Sequence, residues 1–95
     1  MMEKLNQFIN RNPYCLVQVS AEWCKNCIPM ERLVGSMTKE KNIPILKLEA
    51  GEEIRGIVNK FYVSSVPTFL IFRDGILENR IVGTRSQVKI KQILG

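Results

Sequence analysis

The chain has 95 residues, of which 45% are hydrophobic and 24% charged, enough for one compact domain and too few for a second beside it. These proportions are typical of soluble globular domains, and they argue against a disordered or membrane-spanning protein. The net charge of +5 arises from basic residues scattered along the chain, which favours a solvated surface over a nucleic-acid patch. We therefore expect a monomer with one domain over residues 1–95, without nucleic-acid or membrane partners.

The first ten residues and the cysteine content bear on the compartment. The N-terminal segment carries charges and amides where an export signal needs an unbroken apolar stretch. Three cysteines, two of them close together, do not make an extracellular disulfide framework. In a cytosolic chain such a pair indicates catalysis or metal binding, so we expect a cytoplasmic protein.

Apolar spacing in the first half of the chain predicts a helix, a strand and a second helix. The first helix covers residues 2–10 and stops at the turn signal Asn12-Pro13. Residues 14–19 are mostly apolar, which predicts a strand covered on both faces with Cys15 in the core. The second helix is predicted to begin between Cys24 and Cys27, since the helical spacing i, i+3, i+4, i+7 is met by Met30, Leu33, Val34 and Met37.

The second half begins with another strand and helix and then changes to a hairpin. Residues 45–48 are predicted to form a strand, and helical spacing follows over residues 54–61. Two further strands, 68–72 and 76–82, are separated by Asp74-Gly75. This dipeptide is a strong signal for a two-residue hairpin turn, so the last two strands should be antiparallel.

Thr84-Arg85-Ser86-Gln87 matches a capping box and predicts the start of a final helix that contains Ile90, Ile93 and Leu94. The elements together indicate an α/β protein. We expect a central mixed sheet of four to five strands, with parallel early strands, a C-terminal antiparallel hairpin and helices on both faces.

Cys24-Lys25-Asn26-Cys27 lies where a predicted strand ends and a helix begins. The unpaired N–H groups at the helix N-terminus favour a thiolate, and Lys25 adds a modest effect of the same sign. We expect Cys24 to attack a target disulfide and Cys27 to resolve the mixed disulfide. The pair thus predicts dithiol–disulfide exchange without a bound cofactor.

A zinc site is the competing interpretation of a CxxC pair. The chain has no histidine, and its third cysteine, Cys15, lies in a predicted buried strand, so an intramolecular site is disfavoured. The sequence leaves open a zinc ion or iron–sulfur cluster shared between the motifs of two chains.

The segment Ala21-Glu22-Trp23-Cys24-x-x-Cys27 resembles the active site of the thioredoxin family, and Val66-Pro67-Thr68 resembles its cis-proline loop. The resemblance covers nearly the whole chain and implies a thioredoxin fold. It implies that Trp23 shields the motif, that Pro67 is cis and that the Val66 backbone pairs with an extended substrate. It also implies a protein-disulfide reductase with a redox-active disulfide, recharged from NADPH through a thioredoxin-reductase-type partner.

Three departures from the family pattern lie near the motif. Lys25-Asn26 replaces the usual Gly-Pro, so the redox potential cannot be carried over. Ser20 replaces a usual aromatic, which predicts smaller and more open packing. Gln18 replaces a buried aspartate that is thought to deprotonate the resolving cysteine, and Lys47 matches the lysine that accompanies this aspartate. A glutamine cannot act as that base, which predicts slow resolution of mixed disulfides, while Lys47 would favour a thiolate if it lies near the motif.

Two alternative functions stay open at this point. A thioredoxin fold can serve as a protein-binding module in which the cysteines are kept for packing or regulation. A glutaredoxin-like, glutathione-dependent reductase is the second alternative, disfavoured by Trp23 and by the absence of Pro-Tyr or Pro-Phe between the cysteines.

Overall fold

The computed structural model describes residues 2–95, apart from the side chain of Glu53. Within this part of the chain, no helix is both long enough and apolar enough to cross a membrane. In chain order the elements are α1 (Met2–Arg11), β1 (Tyr14–Ser20), α2 (Cys27–Glu40), β2 (Ile45–Glu49), a 3-10 turn (Glu52–Ile54), α3 (Arg55–Lys60), β3 (Thr68–Arg73), β4 (Ile76–Val82) and α4 (Gln87–Leu94).

The four strands form one mixed sheet in the order β2-β1-β3-β4. β1 is parallel to β2 and antiparallel to β3, and β3 pairs antiparallel with β4 through the turn at Asp74-Gly75. Both turn residues have positive φ, 52° for Asp74 and 81° for Gly75, which suits the tight hairpin that the dipeptide predicted. The predicted α/β class, parallel early strands and terminal hairpin are confirmed.

Helices cover both faces of the sheet and create two apolar clusters. α1 and α3 pack against the face that carries Cys15, Val17 and Val19. α2 and α4 pack against the opposite face, which carries Leu16 and Phe69. Because side chains alternate along a strand, a central strand covered on both sides needs the nearly continuous apolar run found in β1. The same alternation places Gln18 and Ser20 on the α2 side of the sheet.

The predicted start of the last helix is wrong by two residues. Ser86, not Thr84, is the N-cap of α4, and its Oγ accepts a hydrogen bond of 3.2 Å from the Lys89 backbone N–H. The residue at the third helical position is therefore a lysine, which cannot return the second hydrogen bond of a capping box. In the predicted 54–61 helix, Ile54 lies in the 3-10 turn and Phe61 caps α3.

Candidate functional site

Cys24 and Cys27 are joined by a disulfide, with their Cα atoms 5.4 Å apart, between the end of β1 and the start of α2. Two backbone hydrogen bonds fold the connection into consecutive turns, from Cys24 N–H to the Ala21 carbonyl (3.0 Å) and from Cys27 N–H to the Cys24 carbonyl (3.2 Å). α2 begins at Cys27, within the predicted limits. Pro29 lies in its first turn, where a missing N–H costs no helical hydrogen bond.

The two sulfur-bearing residues differ in exposure. Cys24 is partly exposed, whereas Cys27 is fully buried. Lys25 and Asn26, between them, are both exposed. A disulfide of another protein can therefore approach Cys24, while Cys27 is reached only from within the chain.

The loop before β3 contains the Val66–Pro67 peptide bond, which is cis, as the resemblance implies. Pro67 is buried and its carbonyl accepts a 2.9 Å hydrogen bond from Gly83 N–H. Thr68 is also buried, and its hydroxyl donates to the Ser65 carbonyl at 2.7 Å. Thr68 therefore stabilises the loop from its buried side. Val66 is partly exposed and lies on the side that a substrate can reach.

An apolar groove lies between Trp23 and the cis-proline loop. Trp23 is 76% exposed, so its ring borders this groove and leaves most of its own surface open to solvent. Shielding of the cysteines by Trp23 stays a prediction. The apolar lining of the groove includes Val19, Trp23, Val58, Val63 and Val66.

A polar cluster lies between α2 and the sheet, and we call Gln18, Glu31 and Lys47 the carboxylate cluster. Gln18 is buried and its Nε2 donates a 2.6 Å hydrogen bond to Glu31 Oε1. Lys47 Nζ lies 3.3 Å from the same oxygen and 3.8 Å from Glu49 Oε1. Gln18 and Lys47 are brought together because they are partners in the parallel β1–β2 register.

Sequence reasoning missed Glu31. The signal that was present is its position four residues after Cys27, which places the two residues on one face of a helix. What the sequence did not show is that Gln18 and Lys47 face this side chain. The contacts found for the Lys47 ammonium group are with two carboxylates, at 3.3 Å and 3.8 Å, and not with a cysteine sulfur. Its effect on a thiolate therefore stays a prediction.

Ser20 is buried, so the sequence expectation of more open packing there is wrong. Its Oγ has no hydrogen-bond partner among residues 2–95. A buried hydroxyl without a partner costs about 1–3 kcal/mol. We therefore expect Ser20→Ala to raise the free energy of unfolding of the oxidised protein by about 1 kcal/mol, measured by urea denaturation without reductant.

Thr38→Val is the matched control for this prediction. The Thr38 hydroxyl is equally buried but donates to the Val34 carbonyl at 2.8 Å. Its removal should therefore lower stability by about 1 kcal/mol. An equal loss in Ser20→Ala would contradict the assignment of Ser20 as an unsatisfied hydroxyl.

Cys15 is fully buried in β1. Burial raises the pKa of its thiol, which disfavours the reactive thiolate. Both properties support the interpretation of Cys15 as a small core residue rather than a regulatory oxidation site.

In the described part of the chain, no three His, Cys, Asp or Glu side chains converge on a point that would hold a metal ion.

A redox-capable cysteine pair at the start of a helix, next to a cis-proline loop on a four-stranded mixed sheet, defines a thioredoxin-like dithiol site. The thioredoxin family model matches residues 1–95, and the chain belongs to this family. Members of the family use a redox-active disulfide and act on protein disulfides. Membership and the Cys24–Cys27 pair are together consistent with thiol–disulfide oxidoreductase chemistry.

Individual relatives support this assignment at moderate identity. Thioredoxin H2 of Arabidopsis thaliana is 27% identical over 89 residues, covering 93% of this chain and 66% of that protein. Mouse (Mus musculus) Glutaredoxin-3 is 30% identical over 79 residues, covering 82% of this chain and 23% of that protein. The chain thus spans less than two thirds of the length of these relatives. The crystal structure of thioredoxin NaTrxh from Nicotiana alata superposes with a TM-score of 0.79 at 25% identity, covering 99% of this chain and 85% of that chain.

Proposed function

We propose that this protein is a thiol–disulfide oxidoreductase that reduces disulfides in other proteins. The observation that carries the proposal is the asymmetric pair itself: a partly exposed Cys24 bonded to a fully buried Cys27 at the start of α2. The exposed member can meet a substrate, and the buried member can only complete the reaction. A disulfide kept for stability needs no such difference between its two ends.

In the reductive direction, the thiolate of Cys24 attacks one sulfur of the target disulfide. A Cys24–target bond forms, the target disulfide breaks, and one target thiolate leaves and takes up a proton. Cys27 then loses its proton and attacks the Cys24 sulfur, which re-forms the Cys24–Cys27 disulfide and releases the second target thiol. The target gains two electrons from the cysteine pair and two protons, one that Cys27 gives up and one from the solvent.

The substrate is expected to bind as an extended segment along the cis-proline loop. The partly exposed Val66 offers its backbone for pairing with such a segment. The apolar groove beside Trp23 supports a preference for an apolar side chain near the target cysteine, because valine, tryptophan and alanine make up most of its lining. Lys25 and Asn26, both exposed, would contact the same segment.

We also propose a source of electrons, an oligomeric state and a location in the cell for this protein. We propose a cytoplasmic monomer that receives electrons from NADPH through a thioredoxin-reductase-type enzyme. The chain has no glycine-rich nucleotide-binding motif of its own, so a separate reductase would have to bind the NADPH. Similarity to Glutaredoxin-3 favours glutathione as the second candidate reductant.

Reduction of insulin disulfides by the purified protein tests the proposal. Three electron sources are compared: dithiothreitol, NADPH with a thioredoxin reductase, and glutathione with glutathione reductase and NADPH. The control carries both Cys24→Ser and Cys27→Ser. Cysteine-dependent turnover with dithiothreitol and thioredoxin reductase is the expected result.

The other outcomes separate the alternatives. Turnover with dithiothreitol and glutathione but not with thioredoxin reductase would replace the proposed reductant and support the glutaredoxin-like alternative. Turnover no greater than that of the double variant with every reductant would contradict the proposed activity and favour a protein-binding module. Size-exclusion chromatography and cell fractionation test the monomeric state and the location.

A further inference from the structure

We propose that Glu31 is the proton acceptor for the resolving thiol of Cys27, held in place by Gln18 and Lys47. This inference rests on the proposed dithiol–disulfide exchange and names the residue that serves its second step. Cys27 must become a thiolate before it can attack Cys24, because the thiol itself is a poor nucleophile. Since Cys27 is fully buried, water has little access to remove its proton.

Glu31 is placed to reach Cys27 by helix geometry. It follows Cys27 by four residues in α2, so the two side chains share one face of the helix. Side chains of a helix lean toward its N-terminus, which directs Glu31 over the turn that begins at Cys27. The Glu31 side chain is only 18% exposed, so its carboxylate lies largely between α2 and the sheet.

Two contacts fix the position of the Glu31 carboxylate. Gln18 donates to Oε1 at 2.6 Å, and Lys47 places its ammonium group 3.3 Å from the same atom. A short hydrogen bond to a charged acceptor is among the stronger polar contacts in proteins. Both contacts are made to Oε1, and in the proposed step the second oxygen, Oε2, accepts the proton.

The arrangement gives Gln18 a role that its own chemistry allows. A glutamine cannot take a proton from a thiol, but its amide can fix a neighbouring carboxylate. Gln18 is therefore a positioning residue. The family pattern has an aspartate at this position, and in this chain the carboxylate comes from Glu31 on α2 instead. The sequence predicts slow resolution from Gln18 alone, whereas under this proposal Glu31 assists that step.

In the resolving step, the proton and electrons move between Cys27, Glu31 and the target. Glu31 takes the proton of Cys27, and the resulting thiolate attacks the Cys24 sulfur of the mixed disulfide. The Cys24–Cys27 bond forms, the bond to the target sulfur breaks, and the target leaves as a thiolate. The proton on Glu31 then passes to that thiolate or to water, which restores the carboxylate.

The test separates the two steps with 5,5′-dithiobis(2-nitrobenzoate), whose coloured thiolate is released once per step. One equivalent is mixed with the fully reduced protein in a stopped-flow instrument from pH 5 to 9. The first release reports attack by Cys24 and depends on reagent concentration. The second reports attack by Cys27 within one molecule and does not.

Glu31→Gln keeps the size of the side chain and an oxygen for Gln18 but removes the base. We expect the second release to slow about tenfold or more at pH 7, within the range that positioned acid–base groups contribute, and the first to change little. The remaining second rate should rise about tenfold per pH unit below the ordinary thiol pKa, because deprotonation then depends on hydroxide. The unmodified protein should show a weaker dependence, as proton transfer within the molecule needs no hydroxide.

The matched control is Glu40→Gln, which removes the same charge at the far, exposed end of α2. Both releases should match those of the unmodified protein. Two charged groups on β2 can also affect the pH profile. Lys47 contacts Glu31 directly, and Glu49 contacts Lys47. Lys47→Gln therefore serves as a second variant, expected to slow the second release less than Glu31→Gln and to keep its weak pH dependence.

Three results would overturn the role of Glu31. One is a second release in Glu31→Gln with the rate and pH profile of the unmodified protein. Another is equal slowing of both releases, which would indicate a general effect on the site. The third is faster second release in Gln18→Asp, which would show that Cys27 lacks a base in the native chain. Failure of the unmodified protein to give the first release would instead contradict the proposed function.

Discussion

Cys27→Ser is expected to stop turnover while leaving the first step of the reaction intact. The fully buried Cys27 is replaced by a hydroxyl, which cannot attack the mixed disulfide. Insulin reduction should fall about a thousandfold or more, since the loss of a group that forms a covalent intermediate has effects of at least this size. Cys24 stays partly exposed, so covalent adducts with substrate proteins should accumulate. Non-reducing electrophoresis and intact-mass analysis measure them.

Cys24→Ser provides the contrast, because it removes the attacking sulfur and keeps the buried one. It should lose turnover to the same extent but form no adducts. The buried Cys15 should be irrelevant, so Cys15→Ser should keep turnover, and the same substitution added to Cys27→Ser should leave adduct formation unchanged. Equal adduct formation by Cys24→Ser would contradict the assigned roles, and undiminished partner binding by the double variant would support a binding module.

The largest stability effect is expected at Phe69, a fully buried residue of β3 that packs in the cluster beneath α2 and α4. Phe69→Ala removes a whole aromatic ring from a closed core and leaves a cavity that the sheet cannot fill. We expect the free energy of unfolding to fall by about 3–5 kcal/mol. This is a large part of the roughly 5–15 kcal/mol that stabilises a typical domain. Urea denaturation followed by circular dichroism measures the loss.

Val88→Ala is the control for this substitution. Val88 lies in α4 but is 67% exposed, so its truncation should change stability by no more than about 0.5 kcal/mol. A loss of less than about 1 kcal/mol in Phe69→Ala would contradict the placement of its ring in the core. Because Phe69 is paired with Gln18 across the β1–β3 register, a softened core should also weaken the carboxylate cluster.

Local chemistry explains why much of the fold was predictable. The Asp74-Gly75 turn needs two residues that tolerate positive φ, and the dipeptide alone indicates it. The spacing of Met30, Val34 and Met37 likewise places one apolar face on α2. Signals of this kind depend only on neighbours in the chain. The start of α4 was harder to predict, because two hydroxyl residues on either side of Arg85, Thr84 and Ser86, can both cap a helix.

The cysteine pair proposed to be catalytic could also be predicted from the sequence. Two cysteines separated by two residues at a strand-to-helix junction have few uses in a chain without histidine. Their unequal exposure follows from the same junction, because Cys24 lies before the helix and Cys27 begins its buried face. The cis bond at Pro67 came from the resemblance to the thioredoxin family, not from the residue itself, because most X-Pro bonds are trans.

Reasoning from the sequence alone was enough to predict the helices and strands, their order along the chain and the dithiol motif, including the roles proposed for its two cysteines. The contacts of Gln18 and Lys47 with the carboxylate of Glu31 became visible only in the folded chain. The difference lies in how far along the chain each kind of interaction acts. Helical spacing and turn chemistry act over a few residues, whereas the carboxylate cluster depends on the parallel register of β1 and β2 and on the way α2 packs across them.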